Sequence, residues 1–211
     1  MSSAERVRDW TQVTRHLLMI RPSHFGSNAQ TAVSNQFQRT PSHSAVELSA
    51  RALREFDGVV AALIRVGVHV IVVPDLPGRS TPDAVFPNNW VSTHNDGRAV
   101  LYPMAADNRR AERRPDLLKL IAAERGFQLR RVIDLSGLEQ SGSFLEGTGS
   151  LVLDRLHGTA YAARSARTHH LALAEFSRLT GYRVVEFDAS LGSGAVYHTN
   201  VLMSLGRDFA I

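Results

Sequence analysis

The sequence predicts an α/β fold built from a repeated unit, and three observations support that prediction. Apolar segments with the composition of strands alternate with segments whose apolar residues recur at helical spacing. Turn signals divide several of the strand segments into hairpins. Short polar motifs stand in front of these hairpins, at 83–92, 144–150 and 197–200. They recur at intervals of roughly 50–60 residues, a spacing close to that of internal structural repeats.

The first repeat lacks a hairpin and has the order strand, helix, strand. Its helix begins with Ser44 and Glu47, a pair that forms a capping box, and apolar residues follow on one face until the expected stop at Gly67. The segment before this helix is polar and aperiodic, which predicts a long surface loop. The predicted segments are a polar lead-in over 1–16, a strand over 16–22, the loop over 23–43, the helix over 44–66, and a buried strand over 68–73 closed by Pro74 and Pro77.

The second and third repeats each have a hairpin, a helix and a strand. In the second repeat, the turn signal Asn95-Asp96-Gly97 lies between two apolar runs, and Pro115 interrupts or restarts the helix. A fourth unit starts at Tyr197–Asn200 and has a turn near Gly206. The predicted helices span 107–125, ended by Gly126, and 165–180, and the predicted strands span 99–102, 127–135, 151–153, 159–162, 182–187, 201–203 and 208–211.

The polar motifs contain residue types that suit the chemistry of an amide-like group. Because the motifs occupy the same place in three repeats, rotational symmetry is expected to bring four residues near one axis: Asn88, Asn89, Glu146 and His198. A carboxylate buried there needs a cation or hydrogen-bond donors, and a histidine carries protons near neutral pH. Asparagine donates and accepts without charge. These four residues therefore suit a neutral or partly neutral group, such as a ureido group, better than a site made only of carboxylates would.

Each of these residues also has a structural explanation. His198 can be a hydrogen-bonding residue at a strand start, Glu146 can pair with a surface arginine, and the asparagines can be turn residues after Pro87. Their coincidence at one position of the repeat favours function. Neither glycine-rich segment has the Gly-Lys-Ser/Thr ending of a phosphate loop, and no metal-binding spacing occurs. We therefore expect no phosphate loop, metal site or cofactor.

Composition limits the classes of protein to be considered. The 211 residues are 44% hydrophobic and 21% charged, which is ordinary for a globular domain. No apolar run approaches the length of about 20 residues that spans a bilayer, and no signal-peptide pattern is present, so we expect a cytoplasmic protein without a membrane segment. The sequence contains no cysteine. That absence excludes disulfides, thiolate metal ligands and a cysteine nucleophile within these residues.

The basic charge leaves one further function class open. The net charge is +4 and nearly all the cations are arginines, which is also found in nucleic-acid-binding proteins. The arginine cluster at 109–114 contains no aromatic residues that could stack on bases. This pattern favours solvated helix faces over a nucleic-acid partner.

Five motifs together carry a family resemblance: Met19-Ile20-Arg21-Pro22 with Phe25-Gly26, Pro82–Trp90, Asn108–Arg114, Phe144–Ser150 and Tyr197–Asn200. They resemble the amidinotransferase/arginine deiminase superfamily, most closely the branch of citrulline-utilisation hydrolases, from about residue 17 to the end. The resemblance implies the pentein fold, an α/β propeller of five ββαβ-type modules around a pseudo-fivefold axis. About three of these modules fit in 1–211, so we expect a single, incomplete pentein domain.

The resemblance also implies a covalent mechanism, in which a cysteine attacks the guanidino or ureido carbon of a small amino-acid substrate. His198 would then protonate the leaving amine and activate water. Glu146 would hold the planar, nitrogen-rich group and support His198. The superfamily's cysteine lies in the last module, and we expect this chain to end before it.

The resemblance further implies a set of substrate-binding residues. Asp83 would bind the amine end of the substrate or its guanidinium, and Arg167 would bind the carboxylate with Arg109 or Arg110 as its companion. The remaining pocket residues would be Phe86, Asn88, Asn89 and Asn200. Deiminases that bind a charged guanidinium carry Asp at the last two of these positions. Asparagine there favours citrulline, which has a neutral head group, over arginine or a methylated arginine.

Two hypotheses of function follow from this resemblance. The first is a hydrolase of non-peptide C–N bonds that acts on a guanidino or ureido amino acid and is truncated here. The second is a catalytically inactive fragment or pseudoenzyme that binds a small ligand or a partner chain. Unpaired strand edges also leave a homo-oligomer open.

Overall fold

The computed structural model describes residues 11–39, 44–76, 78, 80–123, 127–192 and 194–211. Most of the predicted polar lead-in lies outside these residues, as do part of the predicted loop, the end of a strand at Pro77 and the end of a helix at Gly126. The described elements have the α/β order that the sequence predicts, with short strands and helices alternating along the chain.

The first repeat is a parallel strand pair connected through a long helix. Its elements are β1 (His16–Arg21), α1 (Ala29–Ala32), α2 (Ala45–Arg65) and β2 (His69–Pro74). The predicted capping box is present, because the Ser44 side chain accepts from the Glu47 backbone while the Glu47 carboxylate accepts from the Ser44 backbone. The predicted surface loop is wrong in part. It contains the short helix α1, and Asn28 and Thr31 within it are buried.

The second repeat is a three-stranded sheet with a divided helix. Its elements are β3 (Val91–Thr93), β4 (Arg98–Leu101), α3 (Asp107–Arg110), α4 (Leu117–Ala123) and β5 (Arg131–Asp134). β3 pairs with β4 antiparallel, and β4 pairs with β5 parallel. The predicted interruption of the helix is confirmed and lies around Pro115, which has no N–H group to donate to a preceding turn. The last strand is shorter than the predicted range 127–135.

The third repeat has the same topology as the second. Its elements are α5 (Gly147–Ser150), β6 (Val152–Asp154), β7 (Thr159–Ala163), α6 (His170–Thr180) and β8 (Arg183–Phe187), with β6 antiparallel to β7 and β7 parallel to β8. The prediction that the helix begins at Ser165 is wrong. The Ser165 hydroxyl and carbonyl instead accept hydrogen bonds from the backbone of Arg167 and Thr168, which forms a turn before the helix.

The predicted fourth unit is reduced to small elements. After β9 (Ser190–Leu191) and β10 (Gly194–Ala195), the predicted strand over 201–203 is absent, and residues Thr199–Val201 form a 3-10 turn. The predicted turn near Gly206 is present, with Ser204 and Ile211 exchanging backbone hydrogen bonds across it. The bridge between Leu205 and Ala210 accompanies this turn, and among the described residues no strand of a sheet pairs with the segment.

Strand β4 separates two hydrophobic clusters and thereby packs the second repeat against the others. Val100 belongs to the cluster shared with the third repeat, whereas Ala99 and Leu101 belong to the cluster shared with β1 and β2. This division follows from the strand period of two, which points successive side chains to opposite faces. Three short turns lie beside this core and carry the polar motifs. We call them the first, second and third polar turns: Pro87–Asn89, Gly147–Ser150 (α5) and Thr199–Val201.

Candidate active site

The three polar turns are in direct contact. Gly147 has a φ of +44°, and a β-carbon on it would collide with the carbonyl oxygens of Asn88 and Asn89. Glycine therefore allows the second polar turn to lie against the first. The Thr199 hydroxyl donates to the carbonyl oxygen of Ser150 at 2.6 Å, which attaches the third turn to the second. The motifs that the repeat pattern aligned in sequence are thus adjacent in space.

Glu146 is the buried centre of this arrangement, with no solvent-exposed surface. Its Oε2 atom lies 2.9 Å from Nε2 of His198, 3.4 Å from Nη1 of Arg167 and 3.9 Å from Nη1 of Arg109. Its Oε1 atom accepts a hydrogen bond from the Ala105 backbone at 3.2 Å. The sequence predicted that this carboxylate would need cations or donors, and the structure supplies both.

The contact with Glu146 determines which nitrogen of His198 carries hydrogen. A carboxylate accepts hydrogen bonds, so Nε2 of a neutral His198 is the protonated nitrogen and Nδ1 keeps its lone pair. Nδ1 faces Gly149, where it lies 2.6 Å from the position that a β-carbon would occupy. Nδ2 of Asn89 lies 2.5 Å from that same position. The missing side chain at Gly149 lets a proton acceptor and an amide donor lie next to each other.

The charges of the site keep Glu146 ionised and His198 neutral at neutral pH. Burial acts to raise the pKa of Glu146, but His198, Arg109 and Arg167 outweigh it and lower that pKa to about 2. Burial lowers the pKa of His198, and the two arginines act in the same direction, against the carboxylate. Because the imidazole is neutral, the positive charge that compensates Glu146 at neutral pH comes from the arginines.

Arg109 is buried in the protein and lies between Asn89 and Glu112. Its Nη1 atom donates to Oδ1 of Asn89 at 2.7 Å, while Nε and Nη2 donate to the Glu112 carboxylate at 3.0–3.2 Å. Its Nε atom also lies 3.9 Å from Asp83. Burial raises the pKa of Glu112 to about 7, against the opposing effect of Arg109. Arg109 therefore connects the first polar turn to helix α3 and the residues after it.

Arg167 joins the site to the segment around α1. Its Nη2 atom donates to the Thr31 carbonyl at 3.0 Å, and Nε and Nη2 donate to the Ser34 hydroxyl at 2.9 and 2.8 Å. The guanidinium carbon stands over the Tyr197 ring, 4.5 Å from its centroid, in a cation–π geometry. The same tyrosine ring lies 4.6 Å from the ring of His198.

The other predicted residues lie around this centre at different depths. Asp83 is mostly buried, and its Oδ2 atom accepts from Nδ2 of Asn28 at 2.7 Å. Asn88 is half-buried, whereas Phe86 and Asn200 are exposed at the edge of the first and third polar turns. Arg110 lies outside the centre, where it donates to the backbone carbonyl groups of residues 104 and 105.

Sequence reasoning missed four residues that contact the site: Asn28, Ser34, Glu112 and Tyr197. Two of them lie in the long polar segment that was predicted to be a surface loop. Its length was a signal of function, since long loops without secondary structure are often functional. The carboxylate three residues after Arg109 had no such signal, because a pair at this spacing is usually a solvated helix contact.

A cavity among the described residues lies away from this centre. It has a volume of about 720 Å³ and is lined mainly by β1, β3 and the segment at 127–130, and it includes Asn88 but neither Glu146 nor His198. Within the described ranges, no group of three or more His, Cys, Asp and Glu side chains could hold a metal ion. Among the same residues, no helix is both long and apolar enough to cross a membrane.

Comparison with known proteins gives the family. The family model described as "N,N dimethylarginine dimethylhydrolase, eukaryotic" matches residues 21–211. The chain belongs to this family. Comparison with curated proteins gave no significant match.

Solved structures share the fold of this dimethylhydrolase family member. The N-terminal domain of ArgZ, an arginine dihydrolase from the ornithine–ammonia cycle in cyanobacteria, has a TM-score of 0.67 at 21% identity over 92% of this chain. DDAH from Pseudomonas aeruginosa, in complex with citrulline, has a TM-score of 0.59 at 18% identity over 93% of this chain and 66% of that one. The chain spans 65% of the ArgZ domain. The predicted superfamily and the pentein fold are confirmed; the citrulline-utilisation branch stays a prediction.

Proposed function

We propose that the chain binds an amino acid with a guanidino or ureido head group and contributes acid–base residues to hydrolysis of a non-peptide C–N bond. The fold neighbours support this class of substrate, since ArgZ is described as an arginine dihydrolase and the Pseudomonas enzyme was crystallised with citrulline. Because the identities are 21% and 18%, the likeness supports the fold alone, and the chemistry of this chain depends on its own site residues.

The observation that carries the proposal is the buried pair of Glu146 and His198, whose atoms are 2.9 Å apart. Glu146 orients the imidazole and leaves Nδ1 as the atom that accepts and returns a proton. A carboxylate that holds an imidazole in one tautomer has this function in other hydrolases. The lowered pKa of His198 keeps it a base at neutral pH.

The superfamily's covalent scheme gives each proton a carrier. A thiol loses its proton to His198 as the sulfur adds to the head-group carbon, and His198 passes that proton to the leaving nitrogen as the C–N bond breaks. Water then hydrolyses the intermediate with His198 as the base. An ArgZ variant was captured covalently bonded to a reaction intermediate, which supports such a scheme. The 211 residues contain no cysteine, so this chain supplies the acid–base and binding groups.

We assign substrate binding to seven residues: Asp83, Phe86, Asn88, Asn89, Arg109, Arg167 and Asn200. Arg167 takes the substrate carboxylate in this proposal. Its Nη1 atom donates to the Glu146 carboxylate, but Nε and Nη2 now contact the Ser34 hydroxyl and the Thr31 carbonyl, which are neutral acceptors. A carboxylate is a stronger acceptor for a guanidinium than either group. A bound substrate therefore replaces these contacts, and we expect the segment around α1 to move when ligand binds.

A second candidate function is favoured by one observation, the lack of cysteine in these 211 residues. The chain then binds the amino acid without turning it over, alone or together with a partner chain. This candidate uses the same binding residues and differs only in the absence of chemistry. A cytoplasmic location stays a prediction from composition for both candidates.

Isothermal titration of the chain with L-citrulline, L-arginine and N,N-dimethylarginine tests the shared binding step. We expect at least one ligand to bind and His198→Ala to weaken its affinity about tenfold, because an oriented hydrogen bond is lost. His170→Ala is the control, since His170 makes a similar 2.9 Å contact with Glu186 at the surface. The proposal fails if no ligand binds, or if both variants lose the same affinity.

An ammonia-release assay separates the two candidates. The chain by itself is expected to release no ammonia from citrulline or arginine, since no thiol is available for the attack. Turnover that His198→Ala abolishes would refute that expectation and show that the site completes the reaction without a cysteine.

A further inference from the structure

The cavity of about 720 Å³ lies between the first two repeats and has apolar walls. Small-molecule sites in proteins usually have volumes of about 300–1,000 Å³ and are lined mostly by apolar residues. The cavity is therefore large enough to hold a ligand of its own. Its apolar residues come from β1, β2, β3, α4 and the segment before β5, and they include Leu18, Ile71, Val91, Ile121 and Phe127.

Two arginines line the same cavity, and both lie beside the turn that connects β3 with β4. Arg155 donates from Nη1 to the Thr93 carbonyl oxygen at 3.0 Å, at the end of β3. The backbone N–H of Arg130 donates to the Gly97 carbonyl oxygen at 2.7 Å, in the turn itself. The stem of the Arg130 side chain passes close to Gly97 as well, where no other side chain stands between them. Two positive charges are thus held at the hairpin end of the cavity.

Neither of these arginines pairs with a carboxylate within the described residues. Nε and Nη2 of Arg155 make no hydrogen bond there, and neither does the guanidinium of Arg130. No aspartate or glutamate is among the residues that line the cavity. Arg164, by comparison, donates from Nε and Nη2 to the two oxygens of Asp188. Arg155 is half-buried, so water screens its charge less than it would at the surface.

We propose that this cavity is a second ligand site, which binds a small molecule that has one carboxylate and an apolar chain. Arg155 and Arg130 bind the carboxylate at the hairpin end, because a guanidinium presents parallel N–H donors that match its two oxygens. The apolar chain lies along β1 and β3, where it is removed from water. This inference does not depend on the proposed function, since neither Glu146, His198 nor Arg167 lines the cavity.

The other end of the cavity reaches two of the polar turns. Asn88 and Thr148 line it there, and the Thr148 hydroxyl donates to the Asn88 carbonyl oxygen at 3.4 Å. A ligand in the cavity therefore lies beside the candidate active site without contacting its buried acid–base pair. A test of the second site must consequently distinguish it from the site of the proposed function.

An ¹H–¹⁵N NMR titration of the 211-residue chain with octanoate tests the second site, because octanoate combines one carboxylate with an apolar chain. The matched ligand without charge is 1-octanol. We expect octanoate to bind at least about tenfold more tightly than 1-octanol, since a charge-assisted contact separates them. The backbone signals of Thr93 and Gly97 should shift as octanoate is added.

Substitutions of the two arginines test the carboxylate contact. Arg130→Gln and Arg155→Gln should each weaken octanoate about threefold, as expected for an ion pair near the surface, and leave the affinity for 1-octanol unchanged. Arg130 is exposed and its guanidinium makes no contact that the fold needs, so this variant remains informative if Arg155→Gln does not fold. Arg131→Gln is the matched control, because it removes the same charge from the next residue, which does not line the cavity.

Equal affinities for octanoate and 1-octanol in the parent chain refute the site, and so does an equal loss of octanoate affinity in Arg130→Gln and Arg131→Gln. Displacement of octanoate by L-citrulline, together with weaker octanoate binding in His198→Ala, would show that both ligands use the polar turns and would also refute a second site. If octanoate binds as expected while L-citrulline, L-arginine and N,N-dimethylarginine do not bind, the proposed function fails and this inference stands.

Discussion

Gly149 shows how one residue sets the geometry of the candidate active site. The side chains of Asn89 and His198 both occupy the space that a β-carbon at this position would need. No positive φ is involved, so the glycine is required for room and not for backbone conformation. Glycine at this point of the second polar turn allows the Asn89 amide of the first turn and the imidazole of His198, directly before the third turn, to pack against the same position.

Replacing Gly149 by alanine should therefore damage the site more than the fold. The new methyl group would stand 2.5 Å from Nδ2 of Asn89 and 2.6 Å from Nδ1 of His198, and both side chains would have to shift. We expect ligand affinity to fall at least about tenfold, with a loss of stability of about 1–3 kcal/mol, as for other overpacked sites. Titration and urea unfolding measure the two effects. Gly137→Ala is the control, since nothing lies within 4 Å of a β-carbon there. Equal affinity in both variants would contradict the prediction.

The sequence allowed prediction of the residues whose importance depends on their place in the repeat. Glu146, His198 and Asn89 were recognised because three polar motifs share one position, and the structure brings these three together. Glu112 and Ser34 could not be recognised in this way. Their importance comes from contacts with Arg109 and Arg167, and such contacts depend on tertiary packing that no local pattern of the sequence encodes.

At the scale of elements, prediction worked where the signal was local. The capping box of α2 needs only Ser44, Glu47 and the backbone between them, and it formed as predicted. The strand predicted over 201–203 depended on pairing with a neighbouring strand. In its place, the Thr199 hydroxyl donates to Ser150 and accepts from the Ala163 backbone, and this holds the segment in a turn. Apolar composition alone does not distinguish these outcomes.

The cap of α2 gives a prediction for one element. Ser44 accepts a hydrogen bond from the Glu47 backbone, so Ser44→Ala leaves a donor of the first turn without its partner. We expect a loss of about 1 kcal/mol in the free energy of unfolding, measured by urea titration. Ser44→Asn is the control because asparagine is an equally good cap and adds no second carboxylate beside Glu47. The explanation is wrong if the two variants lose the same stability, since that would make the hydroxyl itself, rather than the cap, responsible.

At the scale of the whole molecule, a buried polar network connects the second and third repeats. The hydroxyl oxygen of Ser92 lies 2.9 Å from Nε2 of His94 and 2.7 Å from the hydroxyl oxygen of Tyr102. Arg155, which follows β6, donates to the Thr93 carbonyl at 3.0 Å and approaches Nδ1 of His94 at 3.5 Å. A network of this kind stabilises the contact between repeats only while its groups keep the charges they have in the fold.

His94 should therefore make the protein sensitive to acid. Burial, together with the charges of Arg155 and Arg98, lowers the pKa of His94 from 6.5 to about 3, so the folded protein keeps it neutral while the unfolded chain takes up a proton. The stability that neutral His94 contributes is fully present above pH 6.5 and is lost as the pH falls toward 3. One such proton corresponds to about 1.4 kcal/mol per pH unit. In His94→Gln, the free energy of unfolding measured by urea titration between pH 6 and 4 should fall less steeply than in the parent by that amount. Equal slopes would show that His94 does not link acid to unfolding. A shallower slope together with lower stability at pH 8 would show that the same histidine stabilises the contact between the repeats at neutral pH and weakens it in acid.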